Sequence, residues 1–165
     1  MTLLHTIRPA IDGDATVIKQ VAVDAKMFSA GDVGFFDDLL AGFLDGSLSE
    51  HRWLVLEDSE ARVVASAYYA PEPFSDRVWN LYFIAVSPNA QGGGLGGALL
   101  QHVEDDLRAR GEERARVLII ESSSTDPYTR TRQFYRARGF DEEATIRQFY
   151  GPEDHKVVFW KSLKG

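Results

Sequence analysis

The sequence predicts a mixed α/β fold, and three observations support that class. Apolar residues recur at helical spacing in four segments and form short β-branched or aromatic runs in seven others. These segments follow one another in the order β-α-α-β-β-β-α-β-α-β-β. One strand–helix–strand segment, Val78–Ser122, requires two parallel strands, whereas the hairpins on either side are antiparallel. We therefore expect an α+β type of mixed sheet rather than a doubly wound one.

Composition limits the domain organisation and the classes of partner. The 165 residues, with 44% apolar and 26% charged side chains, suit a single domain over residues 1–165. The net charge is −7 and no basic stripe is present, which argues against nucleic-acid binding. There is no cysteine, and the four histidines lack metal-ligand spacing, so we predict no metal. No apolar run reaches the roughly 18 residues of a membrane span and no signal peptide is evident, so we expect a cytoplasmic protein without membrane contact.

The N-terminal half is predicted to contain one strand, two helices and a hairpin. Carboxylates at the start of the first helix and an apolar face on the second support the two helices. A polar turn at Ser59 and Glu60 joins the two hairpin strands. The predicted elements are a strand at Leu3–Arg8 that ends before Pro9, helices within residues 12–28 and 32–44, and strands within residues 51–58 and 61–70.

The C-terminal half begins with the most apolar strand, Val78–Val86, which we expect at the centre of the sheet. The glycine-rich helix after it is expected to stop at Gly111. In the later helix, Asp126 suits the N-cap, Pro127 the first helical position and Gly139 the C-cap. The remaining predicted elements are strands within residues 115–122, 144–150 and 155–163 and that later helix within residues 125–140.

The stretch QGGGLGGALL, Gln91–Leu100, places five glycines within six residues, between a strand and a helix. The first N–H groups of a helix have no internal acceptor, and the helix dipole adds partial positive charge there. Glycines allow the backbone to approach a ligand closely. The stretch therefore predicts a cradle for a phosphate or pyrophosphate group.

Two nucleotide-binding patterns compete for this loop. The P-loop pattern fails because neither the lysine nor the hydroxyl residue follows the glycine spacing. The dinucleotide pattern GxGxxG matches Gly92, Gly94 and Gly97, and Glu121 ends the next strand at the distance of a ribose-binding acid. A dinucleotide-binding oxidoreductase therefore stays open, although the five-residue spacer before the loop and its mid-chain position weigh against it.

A third pattern, [RQ]xxGx[GA], fits Gln91, Gly94 and Gly96. Together with IAVSPNAQGGGLGGALLQHVEDDLRARG, then VLIIES, then FYRARGF, it makes the chain resemble the GNAT superfamily of N-acetyltransferases. The resemblance is strongest over residues 78–140. It implies the acyl-CoA N-acyltransferase fold, with a splayed central pair of parallel strands, and acetyl-CoA as co-substrate.

The resemblance also implies which residues contact acetyl-CoA. Backbone groups of Ile84, Ala85 and Val86 would pair with the pantetheine arm, and one N–H would polarise the thioester carbonyl. Tyr128 lies where many members carry an asparagine that contacts the cofactor. The loop residues that would hold the pyrophosphate are Gln91, Gly92, Gly93, Gly94, Leu95 and Gly96.

For catalysis, the resemblance implies direct attack of an amine on the thioester in a ternary complex. Tyr135 lies at the family's general-acid position, and the alternative is a helix residue packed under the sheet. Asn80 and Tyr82 occupy strand positions where members often carry a Glu or His base. Neither is a strong base, but strand alternation places both on one face, where they would order a water chain. Glu121 is another candidate base.

The segments expected to line the acceptor pocket are rich in aromatic residues and include the acidic residues Asp32, Glu72, Glu153 and Asp154. This composition leads us to expect a small-molecule primary amine or an amino-acid-like amine as acceptor, with Glu153 or Asp154 helping to hold the ammonium. Late strands often pair between subunits in this family, which leaves a homodimer open. A second interpretation is a non-catalytic CoA-binding sensor, because Asn80 is a weak base. The segments expected to line the acceptor pocket are Met27–Phe36, Tyr68–Phe74 and Tyr150–His155.

Overall fold

The computed structural model describes residues 4–26 and 36–164. Over these ranges the chain forms seven strands and four α-helices, with the sheet order β1-β2-β3-β4-β5-β7-β6. The predicted mixed α/β class and the predicted order of elements are confirmed. The elements are β1 (Thr6–Pro9), α1 (Ala15–Asp24), α2 (Phe36–Leu44), β2 (Arg52–Glu57), β3 (Val63–Pro71), β4 (Val78–Val86), α3 (Leu95–Ala109), β5 (Val117–Ser123), α4 (Thr129–Ala137), β6 (Asp141–Gly151) and β7 (Asp154–Ser162).

The chain divides into two compact units. Unit 1 comprises Met1–Ala70 and Phe83–Asp106, and unit 2 comprises Pro71–Tyr82 and Leu107–Gly165. Strand β4 contributes residues to both units. The single domain expected over residues 1–165 stays a prediction.

In unit 1, β2 pairs antiparallel with β1 and with β3, which confirms the predicted hairpin. Strand β1 runs one residue further than predicted, because Pro9 still lies opposite Leu54. Proline has no backbone N–H to donate to a neighbouring strand. It is tolerated there because β1 lies at the edge of the sheet and pairs with one strand only. The next residue, Ala10, donates its N–H to the Trp53 carbonyl (2.9 Å).

The core of unit 1 contains an aromatic group contributed by α2 and by three strands. The ring of Trp53 stacks on Tyr68, with centroids 4.5 Å apart, and Phe36 meets Trp53 edge-on at 5.7 Å. Phe36 also meets Phe83 of β4 at 5.1 Å. Such pairs add about 1 kcal/mol each to the area they bury, so they fix α2 and β4 in unit 1.

A partly buried ion-pair cluster joins β1 to the turn before α1. The Arg8 guanidinium donates to both carboxylate oxygens of Asp14 (2.7 and 3.1 Å) and to Glu57 (2.8 Å). The Ile11 N–H also donates to Asp14, whose residue surface is only 5% exposed. These bonds, that from Arg8 above all, lower the pKa of Asp14. Removing the Asp14 carboxylate would leave the Arg8 Nη1 and Nη2 groups without the acceptors that it provides.

We therefore expect Asp14→Ala to lower the free energy of unfolding by about 3 kcal/mol. Urea unfolding at neutral pH checks this, with Asp12→Ala as the exposed control, for which less than about 0.5 kcal/mol is expected. Because the folded-state pKa is lowered, the contribution of Asp14 is present at neutral pH and is lost as pH falls from about 4 through the folded-state value. Equal losses in the two variants would contradict this account.

In unit 2, the first half of β4 pairs in parallel with β5, which confirms the parallel strand–helix–strand prediction. The ladder runs from Val78–Val117 to Leu81–Ile120, whereas β4 itself continues to Val86. The β4–β5 pairing thus ends five residues before β4 does, as expected for the predicted pair of strands that splay apart. Strand β7 pairs antiparallel with β5 and with β6.

The start of α4 differs from the sequence prediction. Asp126–Tyr128 form a 3₁₀ turn, flanked by Thr125, and α4 begins only at Thr129. The Tyr128 N–H donates to the Thr125 carbonyl (3.0 Å), a tight bond that favours the 3₁₀ geometry around Pro127. The predicted N-cap at Asp126 is therefore wrong. The predicted C-cap is one residue too late, because Arg138 is the C-cap and Gly139, with φ +88°, is the residue after it.

Candidate functional site

The glycine loop after β4 has the backbone conformation that glycine permits. Gly92 and Gly94 have φ of +86° and +80°, in the left-handed region. A Cβ added at either position would meet no heavy atom within 4 Å. Glycine is therefore favoured at these positions by the left-handed backbone conformation and not by a lack of room for a side chain. The space beside the two glycines is open.

Helix α3 presents its N-terminus at the end of this loop. Ala98 donates its N–H to the Gly94 carbonyl (3.0 Å), which closes the first helical turn. The N–H groups that precede it have no acceptor within the helix and lie at the positive end of its dipole. Buried Leu95, Leu99 and Val103 hold the helix in unit 1, while Gly92, Gly93 and Gly94 are exposed. This arrangement suits a phosphate group.

Gln91 connects the loop to the end of β4. Its side-chain Nε2 donates to the Val86 carbonyl (2.9 Å), and the Ser87 N–H donates to the Val64 carbonyl (2.8 Å). These bonds fix both ends of the short turn between strand and loop. Ile84 and Val86, whose backbones were expected to pair with the pantetheine arm, are half-buried, and Ala85 is buried.

In unit 2, four polar side chains meet at the start of β4. The Asn80 amide nitrogen donates to Glu72 Oε2 (2.9 Å) and to Glu121 Oε1 (3.1 Å). The Tyr82 hydroxyl donates to the same Glu72 oxygen (2.8 Å). We call Glu72, Asn80, Tyr82 and Glu121 the Asn80 cluster. It brings together the predicted Asn80, Tyr82 and Glu121.

The two carboxylates of the Asn80 cluster differ in their electrostatic surroundings. Lys156 of β7 lies 3.1 Å from Glu121 Oε2, and its ammonium lies over the Phe149 ring, 3.5 Å from the centroid. Among the described residues, the Glu72 carboxylate accepts hydrogen bonds only from the neutral side chains of Asn80 and Tyr82. Lys156 thus balances the charge of Glu121, whereas no cationic side chain within residues 4–26 and 36–164 pairs with the Glu72 carboxylate.

Asn80 also carries an unpaired buried acceptor. Its residue surface is fully buried, and its Oδ1 has no hydrogen-bond partner within residues 4–26 and 36–164. A buried acceptor without a donor costs about 1–3 kcal/mol. A ligand or water that donates to Oδ1 would recover that cost.

Tyr135 lies on the other face of the strands of unit 2. Its ring packs 5.3 Å from Phe159 and 6.1 Å from Phe140, and only 4% of its surface is exposed. Since Val158 pairs with Glu121, its neighbour Phe159 points away from the Glu121 side of the sheet. The structure therefore does not group Tyr135 with Asn80 and Tyr82. Burial raises the pKa of Tyr135 above its usual value near 10, so the phenol stays protonated at neutral pH.

The hairpin expected to contact the acceptor lies close to Glu121. Burial, followed by the charges of Glu121 and Asp154 and by Tyr128, raises the pKa of Tyr150 to about 12. Asp154 itself accepts a hydrogen bond from the Ser123 hydroxyl (2.6 Å). Of the other expected acceptor segments, residues 27–35 lie outside the described residues.

Sequence reasoning counted Glu72 among the acidic residues of the expected acceptor pocket but missed its contacts with Asn80 and Tyr82. The signal was the shortness of the connection between β3 and β4, which returns the chain within six residues. The Glu72 N–H donates to the Val78 carbonyl (2.7 Å), so the residue after β3 must lie beside the start of β4.

Residues 4–26 and 36–164 contain no group of three or more His, Asp or Glu side chains arranged to hold a metal ion. Within the same ranges, no helix combines the length and the apolar character that a bilayer crossing requires.

Comparisons with known proteins bear on the family and the fold. The model of the Acetyltransferase (GNAT) family matches residues 12–140. A solved GNAT-family structure from Desulfovibrio desulfuricans is 28% identical and has a TM-score of 0.89, over 98% of this chain and 100% of that one. A Salmonella typhimurium structure with its cofactor acetyl-CoA is 22% identical, with a TM-score of 0.75 over 97% and 94% of the two chains.

A curated relative gives a shorter match. Mycothiol acetyltransferase from Beutenbergia cavernae is 35% identical over 98 residues, which is 59% of this chain. The match spans 30% of the length of that relative. The family model, by contrast, covers well over half of the chain, including β4, the glycine loop and α4. The chain therefore belongs to the Acetyltransferase (GNAT) family.

Proposed function

We propose that the protein is an acetyl-CoA-dependent N-acetyltransferase that acetylates a primary amine of a small-molecule or amino-acid-like acceptor. Membership of the GNAT family supports the class of reaction, and the Salmonella typhimurium relative with acetyl-CoA supports the donor. The observation that carries the acceptor chemistry is the Asn80 cluster, where two carboxylates share one buried amide. Such a site favours a cationic amine over a neutral or anionic acceptor.

The donor would be held by backbone groups. The open glycine loop and the N-terminus of α3 would bind the pyrophosphate through the N–H groups of residues Gln91–Gly96. Ile84, Ala85 and Val86 would pair with the pantetheine arm, and Tyr128 would add a side-chain contact. When bound, acetyl-CoA supplies the activated acetyl group.

The acceptor nitrogen must lose a proton before it can attack. The amine would reach the Asn80 cluster as an ammonium and transfer one proton through water ordered by Asn80 and Tyr82 to a carboxylate of the cluster. The neutral nitrogen then forms the C–N bond as the C–S bond breaks, and the electron pair of the C–S bond goes to sulfur. The nitrogen releases its second proton to water, which leaves a neutral amide. Tyr135 would donate the proton that the departing thiolate requires.

A panel of acceptors tests this function. Wild-type protein is incubated with acetyl-CoA and primary amines, and with alcohols and carboxylates of similar size, while free thiol is measured. We expect thiol release with primary amines only, matched by the mass of the acetylated product. Thiol release with neutral or acidic acceptors only would contradict the proposed acceptor class.

The panel also separates the two alternatives. A CoA-binding sensor would bind acetyl-CoA tightly and turn over no amine in the panel. A dinucleotide-binding oxidoreductase would bind NADH, which its fluorescence detects. Homodimer formation is a separate proposal, which sedimentation velocity tests.

A further inference from the structure

We infer that Glu72 is the residue that binds the acceptor ammonium and selects a primary amine, an inference that rests on the proposed function. In this assignment Asn80 Oδ1 is the second acceptor of the site. The probe class is a primary alkylammonium ion, which presents three N–H donors.

Glu72 is held firmly by its backbone. Its N–H donates to the Val78 carbonyl (2.7 Å), and its own carbonyl accepts from the Ser75 hydroxyl (2.7 Å). With both backbone groups fixed, the carboxylate has little freedom except rotation about its side-chain bonds. Ligand binding at Glu72 therefore costs little ordering entropy.

The hydrogen bonds to the Glu72 carboxylate leave one of its two oxygens without a donor among the described residues. Asn80 and Tyr82 both donate to Oε2, and no described residue donates to Oε1. Asn80 Oδ1 likewise has no partner within the described ranges, and its residue is fully buried. Because the Asn80 amide nitrogen donates to Glu72, the two acceptors that lack a donor among the described residues, Glu72 Oε1 and Asn80 Oδ1, belong to one cluster. An ammonium that donates to both would satisfy a buried oxygen and neutralise a charge.

Glu121 is less suited to this role although it belongs to the same cluster. One of its oxygens accepts from Asn80 and the other lies 3.1 Å from the Lys156 ammonium. A second ammonium at Glu121 would be repelled by Lys156 and would have to compete with it. The unbalanced negative charge, and hence the selection of a cation, lies at Glu72.

The test compares Glu72→Gln with wild type, because glutamine can still accept from Asn80 and Tyr82 but carries no charge. Binding of n-butylammonium chloride is followed through the side-chain NH₂ signals of Asn80 in ¹⁵N–¹H spectra, with n-butanol as the neutral probe. We expect butylammonium, and not butanol, to shift these signals in wild type. Glu72→Gln should weaken the binding about tenfold or more. In the activity assay the same variant should raise KM for the amine by a similar factor and leave KM for acetyl-CoA unchanged.

Two further variants make the outcome decisive. Glu72→Asp keeps the charge and should recover part of the binding, and exposed Glu60→Gln in the β2–β3 turn should bind like wild type. Thermal unfolding confirms that each variant is folded. Equal binding by wild type and Glu72→Gln, or no binding of butylammonium to wild type, overturns the inference. If butylammonium binding depends on Glu72 but no amine is acetylated, the inference about Glu72 is supported and only the proposed function is refuted.

Discussion

Tyr135→Phe is expected to lower kcat about 100-fold or more while leaving acetyl-CoA binding unchanged. A positioned general acid contributes roughly 10²–10⁴-fold to a rate, and phenylalanine cannot protonate the departing thiolate. The ring would keep its packing on Phe140 and Phe159. No described residue loses a hydrogen bond when the hydroxyl is removed, so the free energy of unfolding should change by less than about 0.5 kcal/mol. Initial-rate kinetics and urea unfolding measure the two quantities.

The pH dependence of kcat provides a second readout for Tyr135. Its raised pKa keeps the phenol protonated up to and beyond pH 10, so ionisation of Tyr135 should cause no fall in kcat across the neutral and mildly alkaline range. Loss of the acid should therefore lower kcat by a similar factor at every pH in that range.

Ser66→Ala is the control for loss of a buried hydroxyl, because the Ser66 hydroxyl donates to the Leu54 carbonyl (2.8 Å) and lies outside the expected acceptor segments. It should lose about 1–2 kcal/mol of stability and keep kcat. A Tyr135→Phe variant with wild-type kcat would show that Tyr135 only packs against the sheet, as the alternative interpretation holds.

Gly94→Ala is expected to raise the Kd of acetyl-CoA about 10- to 30-fold. Alanine in the left-handed region costs roughly 1–2 kcal/mol, so the loop would relax away from the φ of +80° on which the proposed binding through its N–H groups depends. Because an added Cβ meets no heavy atom within 4 Å, the effect comes from the backbone and not from a clash. Calorimetric titration of acetyl-CoA measures the change.

Gly46→Ala is the matched control for backbone strain. Gly46, in the turn after α2, has φ +83° and equally open space around its Cα. Gly46→Ala should carry the same strain of roughly 1–2 kcal/mol, and its Kd for acetyl-CoA should be unchanged. Equal loss of affinity in both variants, or wild-type affinity in Gly94→Ala, would contradict a specific role for the loop.

The sequence predicted the elements well where one local signal dominated. Val78–Val86 was predicted to the residue, because a run of β-branched and aromatic residues is bounded by polar loops. The start of α4 was predicted incorrectly, because Asp126 and Pro127 are equally at home in a 3₁₀ turn. Pro9 was read as a strand end, although an edge strand tolerates it.

The candidate site was only partly predictable, because it depends on contacts between distant residues. The glycine loop is continuous in sequence, so its helix-terminal geometry followed from the letters alone. The Asn80 cluster joins residues up to 49 positions apart, from Glu72 to Glu121, and no periodicity links them. The different surroundings of the two carboxylates depend on Lys156, which only the register of β5 with β7 brings near.

The central claim is that acetyl-CoA binds to the glycine loop through backbone N–H groups. Recording ¹⁵N–¹H spectra of the wild-type protein during a titration with acetyl-CoA tests it most directly. The account predicts that the N–H signals of Gly92, Gly94 and Gly96 shift more than others as the ligand saturates the protein. Saturation by acetyl-CoA with these three signals unmoved, or a response of the loop to NADH and not to acetyl-CoA, would contradict it.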